Sequence, residues 1–305
     1  MSRQEKEGIW RYKDRLPQIS SQFRLTLDEG NTSLKKVADI FFKCEFENPT
    51  GSVKDRGIAY QVAKMKESGV KTAVISSSGN AAISAANYCR LHKINLHVFI
   101  SLNINKNKLA ILKQRACQIY QSKRPISSAF KFAKANKAFN LRQSTDPNAT
   151  AGFETIAYEL NEKEPKTDAI FIPVSSGTTL VGIADGYKKL GKLPAFHIIQ
   201  TEAIHPLASL FDRNFHERKK SLADAIVAKF TPRSEKIQEI VKKSQGFGWV
   251  ISDDEMRDTR NWLLSHKLNC SYEGAAALAS LWKAAKAGYS YNNPVCLLTG
   301  KFYSG

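Results

Sequence analysis

Short apolar runs alternate along the chain with longer stretches of helical spacing. The runs at 72–76, 96–100, 169–174, 196–200 and 294–298 are rich in Val, Ile, Leu and Phe, as expected of strands buried on both faces. Residues 118–121 read as a further strand. Residues 55–68, 81–92, 108–116, 127–138, 152–160, a stretch running through Tyr187 to Leu190, 253–266 and 274–287 read as helices, and Gly69 stops the first of them. Residues 38–46 read as a strand leading towards that first helix. Before it the pattern is weak, because Lys35 and Lys36 interrupt Leu34 and Val37. Strand–helix alternation implies an α/β protein with parallel, doubly wound sheets. The stretch 212–245 is polar and lacks clear periodicity, so it reads as a mobile surface excursion.

The chain has 305 residues, 42% of them hydrophobic, which suits two α/β lobes and excludes a disordered chain. No apolar run is long enough to span a bilayer, and the first residues lack the apolar core of a signal peptide. A cytoplasmic protein with no membrane partner is expected. The five cysteines are scattered without paired zinc spacing, and the six histidines form no ligand pattern, so no metal is expected. The net charge of +18 calls for anionic partners. Lysines occur along the whole chain, from Lys35-Lys36 to Lys242-Lys243, with no basic block in a known recognition motif. An anionic cofactor and substrate account for the charge, with weak polyanion binding as a side effect and no specific nucleic-acid partner.

Four motifs carry candidate chemistry. The first, Asn48 to Gly57 (NPTGSVKDRG), sets Lys54 at a loop-to-helix junction, where Pro49 and Gly51 break the preceding strand and Thr50 or Ser52 can cap the helix. An amine used as a nucleophile must be neutral part of the time, and burial or a nearby cation provides for that. The second, Ser76 to Ala82 (SSSGNAA), follows a strand and opens a helix, where free N–H groups and the helix dipole suit an anion. The third, Pro173 to Gly182 (PVSSGTTLVG), repeats that arrangement with more hydroxyls. The fourth, Leu298 to Ser304 (LTGKFYS), places Thr299 at a strand end.

In this order the four motifs resemble those of the tryptophan-synthase-β-like, fold-type-II pyridoxal phosphate enzymes, and most closely the threonine-synthase branch. The segments Gly8 to Lys13 with Leu16-Pro17, and Glu29 to Leu34, look like that branch's N-terminal WRY…LP and EGNTPL segments. The resemblance covers nearly the whole chain. It implies pyridoxal 5'-phosphate as cofactor, held as a Schiff base by Lys54 in a cleft between two lobes. Ser77, Ser78 and Asn80 would hold the substrate carboxylate, with Asn80 also touching the cofactor ring oxygen. Ser175, Ser176, Gly177, Thr178 and Thr179 would hold the phosphate, and Thr299 would sit beside the pyridine nitrogen. The implied lobes are 1–57 with 151–305, a large cofactor-binding lobe, and 58–150, a small mobile lobe carrying the carboxylate loop. A homodimer is the family's habit. Relatives often carry an acid near the start of the second helix of a helix pair, and Glu273 falls there; an exposed first-turn carboxylate is the plain reading.

The chain also departs from the family. Ala81 stands where many relatives have threonine, the 175–179 loop keeps only Gly177 of a glycine-rich turn, and no Arg follows Asp146-Pro147-Asn148. Arg142 or a lysine could substitute for it in binding a phosphorylated substrate. The expected substrate is a small amino acid. The leading activity is a lyase converting phosphohomoserine to threonine and phosphate. A serine/threonine ammonia-lyase or a cysteine-synthase-like β-replacement enzyme is the alternative, and a degenerate, cofactor-free polyanion-binding relative is a second.

Overall fold

The computed structural model of the chain describes residues 7–304. β1 (Leu34–Val37) and β2 (Ile40–Lys43) form an antiparallel hairpin. Its turn residues, Ala38 and Asp39, have φ of 46° and 61°; two left-handed residues in succession match the twist of the flanking strands. The strand expected over 38–46 therefore begins only after this turn and gives way to a 3-10 turn at Glu45–Glu47. β1 is an edge strand, which explains Lys35 and Lys36, since charged side chains there discourage pairing with another sheet.

The chain continues through α1 (Lys54–Glu67), β3 (Thr72–Ser76), α2 (Asn80–Leu91), β4 (Asn95–Ser101), α3 (Lys106–Lys113), β5 (Gln118–Ser122), α4 (Pro125–Asn136) and the short β6 (Phe139–Asn140). A 3-10 turn at Pro147–Phe153 leads into α5 (Glu154–Lys163). Then come β7 (Ala169–Pro173), α6 (Thr178–Lys189), β8 (Ala195–Thr201), α7 (Ser234–Lys243), β9 (Gly248–Ile251), α8 (Asp253–Ser265), α9 (Tyr272–Lys286) and β10 (Pro294–Leu297). Three of these, β6, α7 and β9, lie outside the elements expected from the sequence.

The chain divides into two compact units. The first holds the stretch up to Asn31, Asn48–Thr155, and the tail from Tyr303. The second holds Thr32–Glu47 and Ile156–Phe302. These cuts differ from boundaries at 57/58 and 150/151: Lys54 and its loop cluster with the smaller sheet. The first unit carries a wholly parallel sheet in the order β5-β4-β3-β6, with α4 packed over it through Ala129, Phe132 and Ala133 against Val74 and Phe99.

The second unit carries the order β1-β2-β10-β7-β8-β9, parallel except for the edge hairpin. Strands with β-branched and aromatic side chains and almost no polar ones fit a sheet buried on both faces. Two buried polar groups are built into this core. Lys43 and Glu159 form an ion pair at 2.5 Å with both side chains essentially unexposed, and Lys43 also donates to the Thr32 carbonyl at 2.7 Å. His197 accepts from Trp249 Nε1 at Nδ1 (2.9 Å), lies 2.7 Å from the Tyr291 hydroxyl through Nε2, and stacks on Phe171. Burial lowers its pKa to about 3, so it is a neutral core histidine.

Candidate active site

Lys54 is the first residue of α1. Neither Thr50 nor Ser52 takes the N-cap; Val53 does, without a side-chain cap. The two hydroxyls close the loop instead. Thr50 donates its hydroxyl to Asp55 Oδ1 at 2.5 Å and its N–H to Oδ2 at 2.7 Å, while Ser52 Oγ accepts the Lys54 N–H at 3.3 Å. Asp55 is buried, and burial pushes its carboxyl up to about 6 against those hydrogen bonds.

Two glycines fix where α1 begins. A Cβ on Gly57 would lie 2.4 Å from the Phe153 ring, and one on Gly152 would lie 1.9 Å from the Arg56 carbonyl oxygen. The helix and the 147–153 turn thus meet backbone against backbone. Arg56, fully buried, adds a hydrogen bond to Thr155 Oγ1 at 2.9 Å. The Lys54 amine stands 5.7 Å from the centre of the Phe153 ring. Among the described residues, no acceptor or carboxylate partners this amine. Burial lowers its pKa to about 8. Such an amine is neutral often enough to act as a nucleophile.

The loop before α2 is also prepared for a ligand. α2 has Gly79 as its N-cap and no side-chain cap. Ser77 Oγ accepts from Gly79 N–H at 3.2 Å and Ser78 Oγ accepts from Ser101 N–H at 2.7 Å, which leaves each hydroxyl proton available to a ligand. The Asn80 Oδ1 is buried without a partner, and a Cβ on Gly79 would meet nothing within 4 Å. An uncapped helix N-terminus and open space suit a bound anion, and the orphaned Oδ1 calls for a donor from a bound group. α1 packs against α2, so the loops carrying Lys54 and Asn80 belong to one body.

In the second unit, β7 leads through Ser175 and Ser176 to Gly177, the N-cap of α6, again with no side-chain cap. Gly177 has φ of 78°, and a Cβ there would lie 2.1 Å from Ile237 Cδ1, so the single glycine occupies the position that requires one. Ser176 Oγ and Thr178 Oγ1 are 3.1 Å apart. Thr299 lies two residues beyond β10, which pairs in parallel with β7, so Thr299 and the 175–179 loop leave adjacent strands at the same carboxyl edge of the sheet.

The 212–245 stretch is not the free excursion its polarity suggests. Ser175 Oγ accepts from Val227 and Ala228 N–H at 3.2 and 3.3 Å, and the Ser176 carbonyl accepts from Thr231 Oγ1 at 2.7 Å. Glu273 accepts from Ala225 N–H at 2.8 Å, and Asp253 accepts from Ser221 Oγ and Leu222 N–H. Glu273 is therefore buried and engaged, not an exposed first-turn carboxylate. The end of the stretch is helix α7, which turns Ile237 and Val241 inward.

Comparison with known proteins gives this arrangement its family. The profile of the family described as "Pyridoxal-phosphate dependent enzyme" matches residues 25–300. The chain belongs to that family. It is a pyridoxal phosphate-dependent lyase of the fold-type-II, tryptophan-synthase-β-like kind. It is 27% identical to the threonine synthase of Methanocaldococcus jannaschii, over 98% of this chain and 81% of that one. Its fold is similar to a pyridoxal 5'-phosphate-dependent aspartate racemase (TM-score 0.77, 19% identity, 97% and 95% of the two chains). It is also similar to the processed form of threonine deaminase isoform 2 from Solanum lycopersicum (TM-score 0.75, 16% identity, 90% and 80%). No helix among the described residues is long and apolar enough to cross a membrane.

Two features of this pyridoxal-phosphate dependent enzyme have no sequence signal. Phe153 and Gly152 reach Lys54 and Arg56 across roughly a hundred residues of chain. The C-terminal tail also belongs to the first unit: Asn107 donates to the Ser304 carbonyl at 2.6 Å, and Lys108 lies 5.3 Å over the Tyr303 ring. Burial, followed by the nearby Asp55 charge, pushes the Tyr303 phenol up to about 12.

Proposed function

We propose that the chain is a threonine synthase acting on phosphohomoserine, with Lys54 as its catalytic lysine. The observation that carries the reading is the isolated, partly neutral amine of Lys54 at the entrance of α1. The threonine-synthase relatives, aligned over almost the full chain, support the substrate. When bound, pyridoxal phosphate supplies the electron sink for negative charge at the substrate Cα. Lys54 anchors it through its amine and then carries protons at Cα, and at Cβ and Cγ. Ser77, Ser78 and Asn80 hold the substrate carboxylate with their hydroxyl and amide groups and the α2 N–H groups. Ser175, Ser176, Gly177, Thr178 and Thr179 hold the cofactor phosphate at the α6 N-terminus. Thr299 would offer a hydroxyl to the pyridine nitrogen, which would leave that nitrogen largely unprotonated. A small amino acid is thus the substrate, and a homodimer is the assembly the family reading suggests.

One observation favours the ammonia-lyase alternative. The Asp146–Ala149 turn, where a phosphorylated substrate wants a cation, closes on itself through Asp146 Oδ1 and Asn148 N–H, and Ala149 is fully buried. Arg142, half-buried just before it, is the candidate that would restore the phosphate reading. The purified protein should show the cofactor's visible absorbance, lost in Lys54→Ala; an unchanged spectrum would exclude Lys54 as the anchor. Phosphate release from phosphohomoserine supports the synthase, and keto-acid release from threonine without it supports the ammonia-lyase.

A further inference from the structure

The lysines are distributed along the chain, but the carboxylates are not. Between Ser68 and Thr145 the sequence contains nine lysines, four arginines and no aspartate or glutamate. Thirteen of the eighteen net positive charges therefore fall within one folded body: β3, α2, β4, α3, β5, α4 and β6. All of these basic residues except Lys108, Arg115 and Arg142 are exposed. The carboxylates that flank the stretch are engaged elsewhere, Glu67 with Lys64 and Ser20, and Asp146 with Gln61. Apart from Arg142, the candidate for a substrate phosphate, none of these charges belongs to the proposed catalytic machinery, so an anionic cofactor and substrate do not account for the other twelve.

The outer side of α4 and the edge strand β5 add a second feature. α4 turns Ala129, Phe132 and Ala133 to the sheet and leaves Phe130 65% exposed on the helix that carries Lys131 and Lys134, with Lys123 and Arg124 just before its start. On the same face of the sheet, Tyr120 of β5 is 37% exposed, its ring stacked on Phe99 and in contact with Phe132. Basic side chains around exposed aromatic rings match a strand of phosphates whose bases have faces to stack. A membrane surface would call for a continuous apolar stripe, and α4 exposes only Ile126 and Phe130 outward. An acidic peptide would leave the aromatic rings without partners.

We propose that the β5–α4 face is a sequence-independent binding surface for single-stranded nucleic acid, separate from the catalytic site. The test uses the cofactor-loaded enzyme and a fluorescent single-stranded oligonucleotide longer than the roughly 16 nucleotides such surfaces cover. Anisotropy is followed from about 50 to 200 mM salt. The wild type should bind with a salt slope near −3 or steeper, since each phosphate contact contributes about −0.7. The variant K123E/R124E/K131E/K134E should bind about a hundredfold more weakly, with a slope reduced by about 3. Phe130→Ala should weaken binding about tenfold with the slope unchanged. Both variants should keep the cofactor absorbance and turnover of the wild type. Absence of binding at 50 mM salt would overturn the proposal, as would equal weakening by the control K242E/K243E on α7, outside the acid-free stretch. Binding of phosphatidylserine vesicles without the oligonucleotide would replace it with a membrane surface, and an unchanged affinity in Phe130→Ala would remove the stacking role.

Discussion

Phe153 holds its ring 5.7 Å from the Lys54 amine and packs its edge against Gly57. Two effects of the ring oppose each other. Excluding water lowers the amine's pKa, whereas the ring's quadrupole favours the charged amine by about 1 kcal/mol, under one pKa unit. Burial lowers the pKa from 10.5 to about 8, which is more than the quadrupole can restore. Phe153→Leu should therefore raise the amine's pKa and slow cofactor loading at neutral pH by about tenfold. Stopped-flow growth of the cofactor band in apoprotein measures this; faster loading would mean that the quadrupole dominates.

In the wild type, the same amine sets a pH dependence. Its folded pKa lies below its unfolded value, so the folded state disfavours the proton. Cofactor loading should rise about tenfold per pH unit up to about 8 and then level off. In cofactor-free protein the stability contribution has the opposite limb. It is intact above the unfolded pKa of 10.5 and lost as pH falls through about 8. Lys54→Met should thus be more stable than wild-type apoprotein at pH 7, by about 3 kcal/mol at most, and indistinguishable near pH 11. Denaturant midpoints at the two pH values decide; equal midpoints at pH 7 would show that the amine is solvated.

The anchoring of residues 221–231 can be separated from cofactor binding. Ser175→Ala removes the acceptor for Val227 and Ala228, and Glu273→Ala removes the one for Ala225. Both should speed tryptic cleavage after Lys229 several-fold. Only Ser175→Ala should also weaken pyridoxal phosphate, since its hydroxyl proton is the one proposed to reach the phosphate. Equal cofactor affinity in the two variants would remove Ser175 from the phosphate site.

Much of this organisation is legible in the sequence, and the failures have physical causes. The strands at 72–76, 169–174 and 294–298 stand out because a strand buried on both faces admits almost no polar residue. The hairpin before Lys54 escapes the pattern because its turn is Ala38-Asp39, without the glycine such turns usually carry. Helix α7 was hidden by charge, although Ile237, Ile240 and Val241 keep helical spacing. β9 is a four-residue strand just after Gly246 and Phe247, too short for its period to show. The motif loops are readable because each lies next to its own strand and helix. Phe153 and Gly152 are not, because their effect on Lys54 passes through a contact that no local pattern encodes.

Lys43 and Glu159 form the last test, of stability alone. Both side chains are buried, and the Lys43 amine is shared between the carboxylate and the Thr32 carbonyl. Taking two charges from water costs several kcal/mol each, so the pair is favourable only while both members are present. Lys43→Met leaves Glu159 buried beside an apolar chain and should cost about 3–5 kcal/mol. The double variant K43M/E159L removes both charges at similar volume and should recover most of that loss. Urea midpoints of the cofactor-loaded protein give the comparison. A double variant as unstable as the single one would mean that the pair is needed for the packing of β2 against its neighbours, and not merely tolerated there.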